Sequence, residues 1–189
     1  DPQSTHLKIA GSENSLPLAT HEGGKGMEHS VCFTGHRVMH EANRLYLNTW
    51  LPQQIRSLYA RGFRFFYSGG AMGFDLMAAE AVLALRAQLP ELRLCMLLPC
   101  RNQQKRWTRE WRARYNAVLC AADTVEFLCE SDFVSRETFL RRDNALVERS
   151  AVCVAFYNRS RSGTGHTVRY ARALGKEIIL TAGLPGEPF

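Results

Sequence analysis

The sequence predicts an α/β domain in which a mostly parallel sheet lies between two layers of helices. Two features carry that expectation. Short apolar runs alternate with longer segments whose apolar residues fall at helical spacing, the pattern of strands joined by crossover helices. The runs are also apolar at successive positions, as in Leu94-Cys95-Met96-Leu97-Leu98 and Val152-Cys153-Val154-Ala155-Phe156, so both faces of each strand meet packed helices rather than water. The resulting architecture is a Rossmann-like three-layer sandwich in a single domain.

Each element can be justified in turn. Val31–Phe33 is a short buried strand ending in Thr34-Gly35-His36-Arg37, and a helix follows over about Glu41–Ala60. Its apolar positions are Leu45, Trp50, Leu51, Ile55 and Leu58, and Pro52 is expected to kink or divide it. Phe63–Tyr67 is the second strand, Ser68–Gly73 a tight turn, and Phe74–Gln88 an Ala/Leu-rich helix. Leu92–Leu98 is a strand closed by Pro99, followed by a basic helix over about Gln103–Ala121 and a strand at Thr124–Cys129. Next come a helix near Glu137–Arg149 and the apolar strand Ala151–Tyr157. A Gly/Ser/Arg loop at Asn158–Gly165 then leads to a helix near Thr167–Leu174 and a last strand, Glu177–Thr181.

Residues 1–29 are polar and Gly-rich without sustained periodicity. They are read as a disordered or vector-derived leader, with Met27 as a native start. The folded domain is then residues 30–183, with a Pro-containing tail at 184–189.

Composition removes several classes. The chain has 189 residues, 46% hydrophobic and 22% charged, which is ordinary for a globular domain and unlike collagen, a coiled coil or a disordered chain. No apolar stretch approaches the ~20 residues needed to cross a bilayer, so no membrane association is expected. Of the six cysteines none forms a C-x-x-C pair, and Cys32, Cys95 and Cys153 fall inside strands. Buried reduced thiols, a cytoplasmic location and no metal site are expected, over the lesser alternatives of a disulfide scaffold or a metal site.

The net charge is +6, and nearly all of it lies between Arg101 and Tyr115. That segment holds Arg101, Lys105, Arg106, Arg109, Arg112 and Arg114 against Glu110 alone, with Trp107, Trp111 and Tyr115 recurring every four residues. This is either a solvated helix face over an inward aromatic stripe, or an electrostatic footprint for phosphates of a nucleotide or nucleic acid.

In an open parallel sheet the ligand lies outside the carboxyl ends of the strands. Three loops reach that edge: Gly35-His36-Arg37, Ser68-Gly69-Gly70-Ala71-Met72-Gly73, and Ser162-Gly163-Thr164-Gly165-His166-Thr167. Two run into helices, whose first N–H groups are unpaired and favour anions. Neither is a Walker A loop or a full G-x-G-x-x-G, so ATP hydrolysis and dinucleotide redox chemistry are disfavoured. Asp75, in the first turn after Gly73, is a helix-capping acid or a ribose-hydroxyl acceptor. His36 and Arg37 suit a base or phosphate, and Asn144, in Arg142-Asp143-Asn144, is a candidate if turned inward. No nucleophile elbow is present. Gly70→Val is expected to block a phosphate while sparing the fold.

Phe33-Thr34-Gly35-His36-Arg37, Ser68-Gly69-Gly70-Ala71-Met72-Gly73-Phe74-Asp75 with Ala79-Glu80-Ala81, Arg142-Asp143-Asn144, and Tyr157 with Gly163-Thr164 and Val168-Arg169-Tyr170-Ala171 resemble the YpsA-like branch of the SLOG superfamily. That Rossmann-like group also holds the LOG phosphoribohydrolases and the DNA-processing protein DprA, and the resemblance runs from about Val31 to Leu180. It implies a nucleotide-derived ligand held between the loops at Gly35, Gly70 and Gly163, contacted by Gly35, His36, Arg37, Ser68, Gly69, Gly70, Met72, Gly73, Asp75, Asn144, Gly163, Thr164 and Thr167. Where the LOG loop carries its catalytic Glu this chain has Thr167, so N-glycosidic hydrolysis lacks its acid/base unless Glu80 reaches the mouth. Related folds are often dimers, and a homodimer is expected. Three readings follow: nucleotide binding or sensing without turnover, a LOG-type N-glycosidic hydrolase, and a DprA-like binder of single-stranded DNA through Arg101–Arg114.

Overall fold

The computed structural model describes residues 26–132, 135–158 and 161–186. The expected leader lies outside the described residues except for its last four, and so does the end of the tail, 187–189. A single 3-10 turn, Met27–His29, leads into β1 (Ser30–Gly35). There follow α1 (Glu41–Ala60), β2 (Phe65–Ser68), α2 (Phe74–Leu85), β3 (Arg93–Leu98), α3 (Arg109–Ala121), β4 (Thr124–Phe127), α4 (Arg136–Glu148), β5 (Val152–Phe156), α5 (Gly163–Ala173) and β6 (Glu177–Thr181).

The six strands form one all-parallel sheet in the order β4-β3-β2-β1-β5-β6. Alternate side chains of the central strands feed two separate cores, as the two-residue strand period requires. Val31, Phe33, Phe66, Leu94, Met96, Val152 and Val154 face α1, α2 and α3. Cys32, Tyr67, Cys95, Leu97, Cys153 and Ala155 face α4 and α5. Cys32 and Cys153 are paired in register across β1 and β5, and all six thiols are free.

The helix boundaries show where local sequence misleads. Pro52 sits within the twenty residues of α1 without dividing it. The helix buries Leu47, Leu51, Ile55 and Leu58, leaving Leu45 on the solvent side at 60% exposure. The basic helix starts at Arg109, not Gln103, because Thr108 caps it by accepting the Trp111 N–H at 3.4 Å. Trp107 therefore lies before the helix, packed edge-on against Tyr115 at 5.3 Å, so the inward aromatic stripe reduces to Tyr115 and a half-covered Trp111. Conversely, α5 begins at Gly163, four residues earlier than expected. Ser162 caps it by accepting the Gly165 N–H at 3.2 Å, and Thr164, Thr167, Val168 and Ala171 are buried. Glycine lowers helix propensity, but the cap and this packing outweigh it. The remaining ends move by a few residues, as at α2, which stops at Leu85.

Candidate functional site

The chain builds the sheet outward from β1 in one direction through β2, β3 and β4, then returns to place β5 on the other side of β1. The connections after β1 and β5 leave towards opposite faces, opening a crevice at the carboxyl end of that strand pair, where ligands of open α/β sheets bind. A cleft of about 700 Å³ occupies this place, with walls from the end of β1, the start of α2, one side of α4 and the first turns of α5.

Guanidinium groups dominate it. Arg37, Arg136, Arg142, Arg161 and Arg169 line the cleft, against the carboxyl groups of Asp75 and Asp143. Arg142 is the buried member, with its side chain 5% exposed. Its Nε donates to Asp143 Oδ1 at 2.7 Å and its Nη1 to the Gly69 carbonyl at 2.6 Å. Arg37 stands over the Phe139 ring at 4.9 Å, with Arg142 5.5 Å from the same ring. Arg37, Arg136, Arg161 and Arg169 form no ion pair among the described residues. Into the same cleft opens the N-terminus of α5, adding its unpaired N–H groups to the positive field.

Asp75 is the second residue of α2 and is 5% exposed. Burial pushes its carboxyl up to about 7; Asp143 adds to the rise, and Arg142 and Arg37 oppose it. It is thus divided between acid and carboxylate near neutrality, able to donate to or accept from a ligand hydroxyl. His36 packs against Phe156 and Tyr157 with ring centroids at 5.6 and 6.0 Å. Burial lowers its pKa, and its Nε2 accepts the Asn158 N–H at 3.2 Å, which requires the ring to be unprotonated there.

Of the residues expected at the site, Gly35, His36, Arg37, Asp75, Gly163 and Thr164 line the cleft. Ser68, Gly69, Gly70, Met72, Gly73, Asn144 and Thr167 are not among its lining residues. Ser68 Oγ donates to the Asp75 carbonyl at 2.9 Å and accepts the Gly70 N–H at 3.2 Å, so the turn satisfies itself. Its glycines are explained by packing. A Cβ on Gly69 would lie 2.4 Å from Arg142 Nη1, and one on Gly73, at φ +81°, 2.2 Å from the Arg37 carbonyl oxygen. Gly70 has φ +66°, and its missing Cβ faces Leu98, Met96 and Gln103 rather than the cleft. Gly70→Val would therefore strain the interior, correcting the expectation that it spares the fold. Asn144 Oδ1 instead meets His166 Nε2 at 3.0 Å, and Thr167 Oγ1 donates to the Gly163 carbonyl at 3.0 Å. Glu80 is held by Arg114 through two bonds of 2.9 and 2.8 Å and does not line the cleft.

Sequence reasoning did not place Arg136, Phe139, Arg161 and Arg169 at the site. The available signal was positional: Arg136 opens α4, Phe139 lies one turn on, and Arg161 and Arg169 flank the start of α5. Of the basic segment, Arg101 pairs with Glu130 and Arg114 with Glu80, whereas Lys105, Arg106, Arg109 and Arg112 form no ion pair among the described residues. No described helix is long and apolar enough to cross a membrane, and no group of metal-ligating side chains occurs among the described residues.

Comparison with known proteins agrees with this architecture. A UPF0398 protein of Halalkalibacterium halodurans is 26% identical over 149 residues, covering 79% of this chain and 76% of its own. Among solved structures, DNA processing protein A from Helicobacter pylori, a protein with a single-stranded DNA binding mode, superposes with TM-score 0.60 at 21% identity. The match covers 85% of this chain and 68% of that one. DprA from Streptococcus pneumoniae gives TM-score 0.60 at 14% identity, covering 86% of this chain and 53% of that one. At such identities these two superpositions establish the fold alone. The YpsA family model, described as the YspA SLOG family, matches residues 32–176, three-quarters of the chain, and the protein belongs to that family.

Proposed function

We propose that the unit spanning residues 30–183 binds a nucleotide or nucleotide-derived ligand in the cleft at the β1–β5 switch point, as a receptor without turnover. The observation that carries this is the placing of four arginines, without ion-pair partners among the described residues, in the cleft into which the N-terminus of α5 opens. Oriented N–H groups and guanidinium forks together suit phosphate oxygens. Asp75 and the half-buried His36 supply hydroxyl and base contacts. Position 167 carries a threonine whose hydroxyl is committed to the Gly163 carbonyl, leaving no carboxylate on that turn to protonate a leaving base. A thermal-shift screen against mono- and dinucleotides, with chromatography of each hit, tests the reading. Ligand at ~100 times its Kd adds about 2.7 kcal/mol and is recovered intact. Recovery of a free base would replace the receptor with a hydrolase.

A second reading is supported by Lys105, Arg106, Arg109 and Arg112, an exposed cluster without ion-pair partners among the described residues. Such a stripe suits the backbone of single-stranded DNA, the ligand of the Helicobacter pylori protein that shares this fold. Replacing all four with Gln is expected to abolish DNA retention and its steep salt dependence while leaving the nucleotide shift unchanged. Loss of both together would merge the two surfaces into one. Gel filtration with light scattering tests the accompanying proposal of a homodimer, for which one protomer's mass would be the contrary result.

A further inference from the structure

We infer that the cleft is built for a ligand carrying two phosphoryl groups, one on each wall; the inference rests on the nucleotide reading above and narrows it. The arginines fall into two sets on different elements. On one wall Arg37 and Arg142 share the Phe139 ring, at 4.9 and 5.5 Å, and Arg136 lies one helical turn before that ring on α4. On the other wall Arg161 precedes the Ser162 cap, and Arg169 lies in the second turn of α5.

Arg142 gives the first wall its fixed point. Its side chain is 5% exposed, with Nε and Nη1 committed to Asp143 and Gly69, yet the residue lines the cleft and no described group accepts from its Nη2. A buried guanidinium with one unspent edge on a cavity is a site for an anion oxygen. The second wall has the unpaired N–H groups of α5 as its own fixed point.

Charge points the same way. Five guanidiniums face two carboxyl groups, and one of the two, Asp143, is already spent on Arg142. A monophosphate at either wall would leave the other wall's arginines without a counter-charge. A ligand with two phosphoryl groups offers a counter-charge to each set of arginines. The Phe139 ring holds the Arg37 guanidinium at the cleft through a cation–π contact of 4.9 Å.

The experiment compares AMP, ADP, orthophosphate and pyrophosphate by calorimetric titration against the full chain and two double variants, R37Q/R136Q and R161Q/R169Q. All four replaced side chains are outside the hydrophobic cores, so the variants should melt with the wild type. The expected result is ADP at least tenfold tighter than AMP in the wild type, with the difference reduced to threefold or less in both variants. Equal affinities of AMP and ADP in the wild type would overturn the two-phosphate inference and leave nucleotide binding standing. Pyrophosphate binding with no nucleotide binding would do the opposite, keeping two phosphate positions and removing the base. A preference for ADP that survives both variants would place the second phosphate elsewhere and also overturn the assignment. Failure of all four probes would remove both readings.

Discussion

At the scale of single residues, Asp75 makes the sharpest claim. Its carboxyl titrates near 7 in the folded chain against 3.8 when solvated, so the folded state keeps a proton that the unfolded state has lost. Stability from this group is therefore complete below about pH 4, falls as pH rises to about 7, and stays reduced above that. The slope approaches ~1.4 kcal/mol per pH unit in the middle of that window. Urea midpoints measured from pH 5 to 8 should fall in the wild type and fall much less in Asp75→Asn; parallel curves would mean the carboxyl is ionised throughout. His36, with its lowered pKa, acts in the opposite sense below pH 6.5, so the difference between the two proteins is the quantity to read. Gly69 offers a second test. An alanine there would push Arg142 from its place, and Gly69→Ala should cost ~1–3 kcal/mol, as overpacking does, and lose ligand binding. Retained binding would show that Arg142 has no part in the site.

At the scale of elements, the two cap residues separate stability from binding. Ser135 and Ser162 each cap a helix, accepting the Thr138 N–H at 3.1 Å and the Gly165 N–H at 3.2 Å. Either serine changed to alanine should cost ~1 kcal/mol, read as a lower melting temperature. Only Ser162→Ala should also weaken ligand binding, because Ser162 itself lines the cleft and Ser135 does not. The same elements show what the sequence made legible. The strands were plain because their apolar runs owe little to context, and β6 falls at Glu177–Thr181 as expected. The starts of α3 and α5 were not plain. Gly163-Thr164-Gly165 reads as loop by propensity, and only burial of Thr164, Thr167 and Val168 against β5 and β1 makes it helix. The loop at Ser68–Gly73 misled in the other direction. Glycine pairs suggest a phosphate cradle, but here they let Arg142 and the Arg37 backbone approach, a long-range cause that no local pattern carries. The cleft arginines on α4 and α5 were invisible for the same reason, since only strand order brings those helices to one crevice.

At the scale of the molecule, the two cores share one sheet, so damage to its centre should be felt as a whole. Phe33 on β1 is fully buried, with ring centroids 5.9 Å from Phe66 and 6.4 Å from Phe74. Phe33→Ala should cost ~3–5 kcal/mol. It should lower the far-ultraviolet and tryptophan-fluorescence transitions by the same amount, although Trp50, Trp107 and Trp111 all lie outside the strands. Separate transitions would show that the layers unfold independently.

The pairing of β1 with β5 joins residues such as Val31 and Val152, far apart along the chain. During synthesis β1 to β4 emerge and can pair with their neighbours long before β5 exists, while this seam waits for a loop of most of the chain to close. The cleft is the carboxyl end of that seam, so it exists only once the seam has closed. A nascent or partly unfolded chain holding every arginine of the site would still have no site. If the cleft binds the proposed ligand, that binding would stabilise only chains in which the seam has closed.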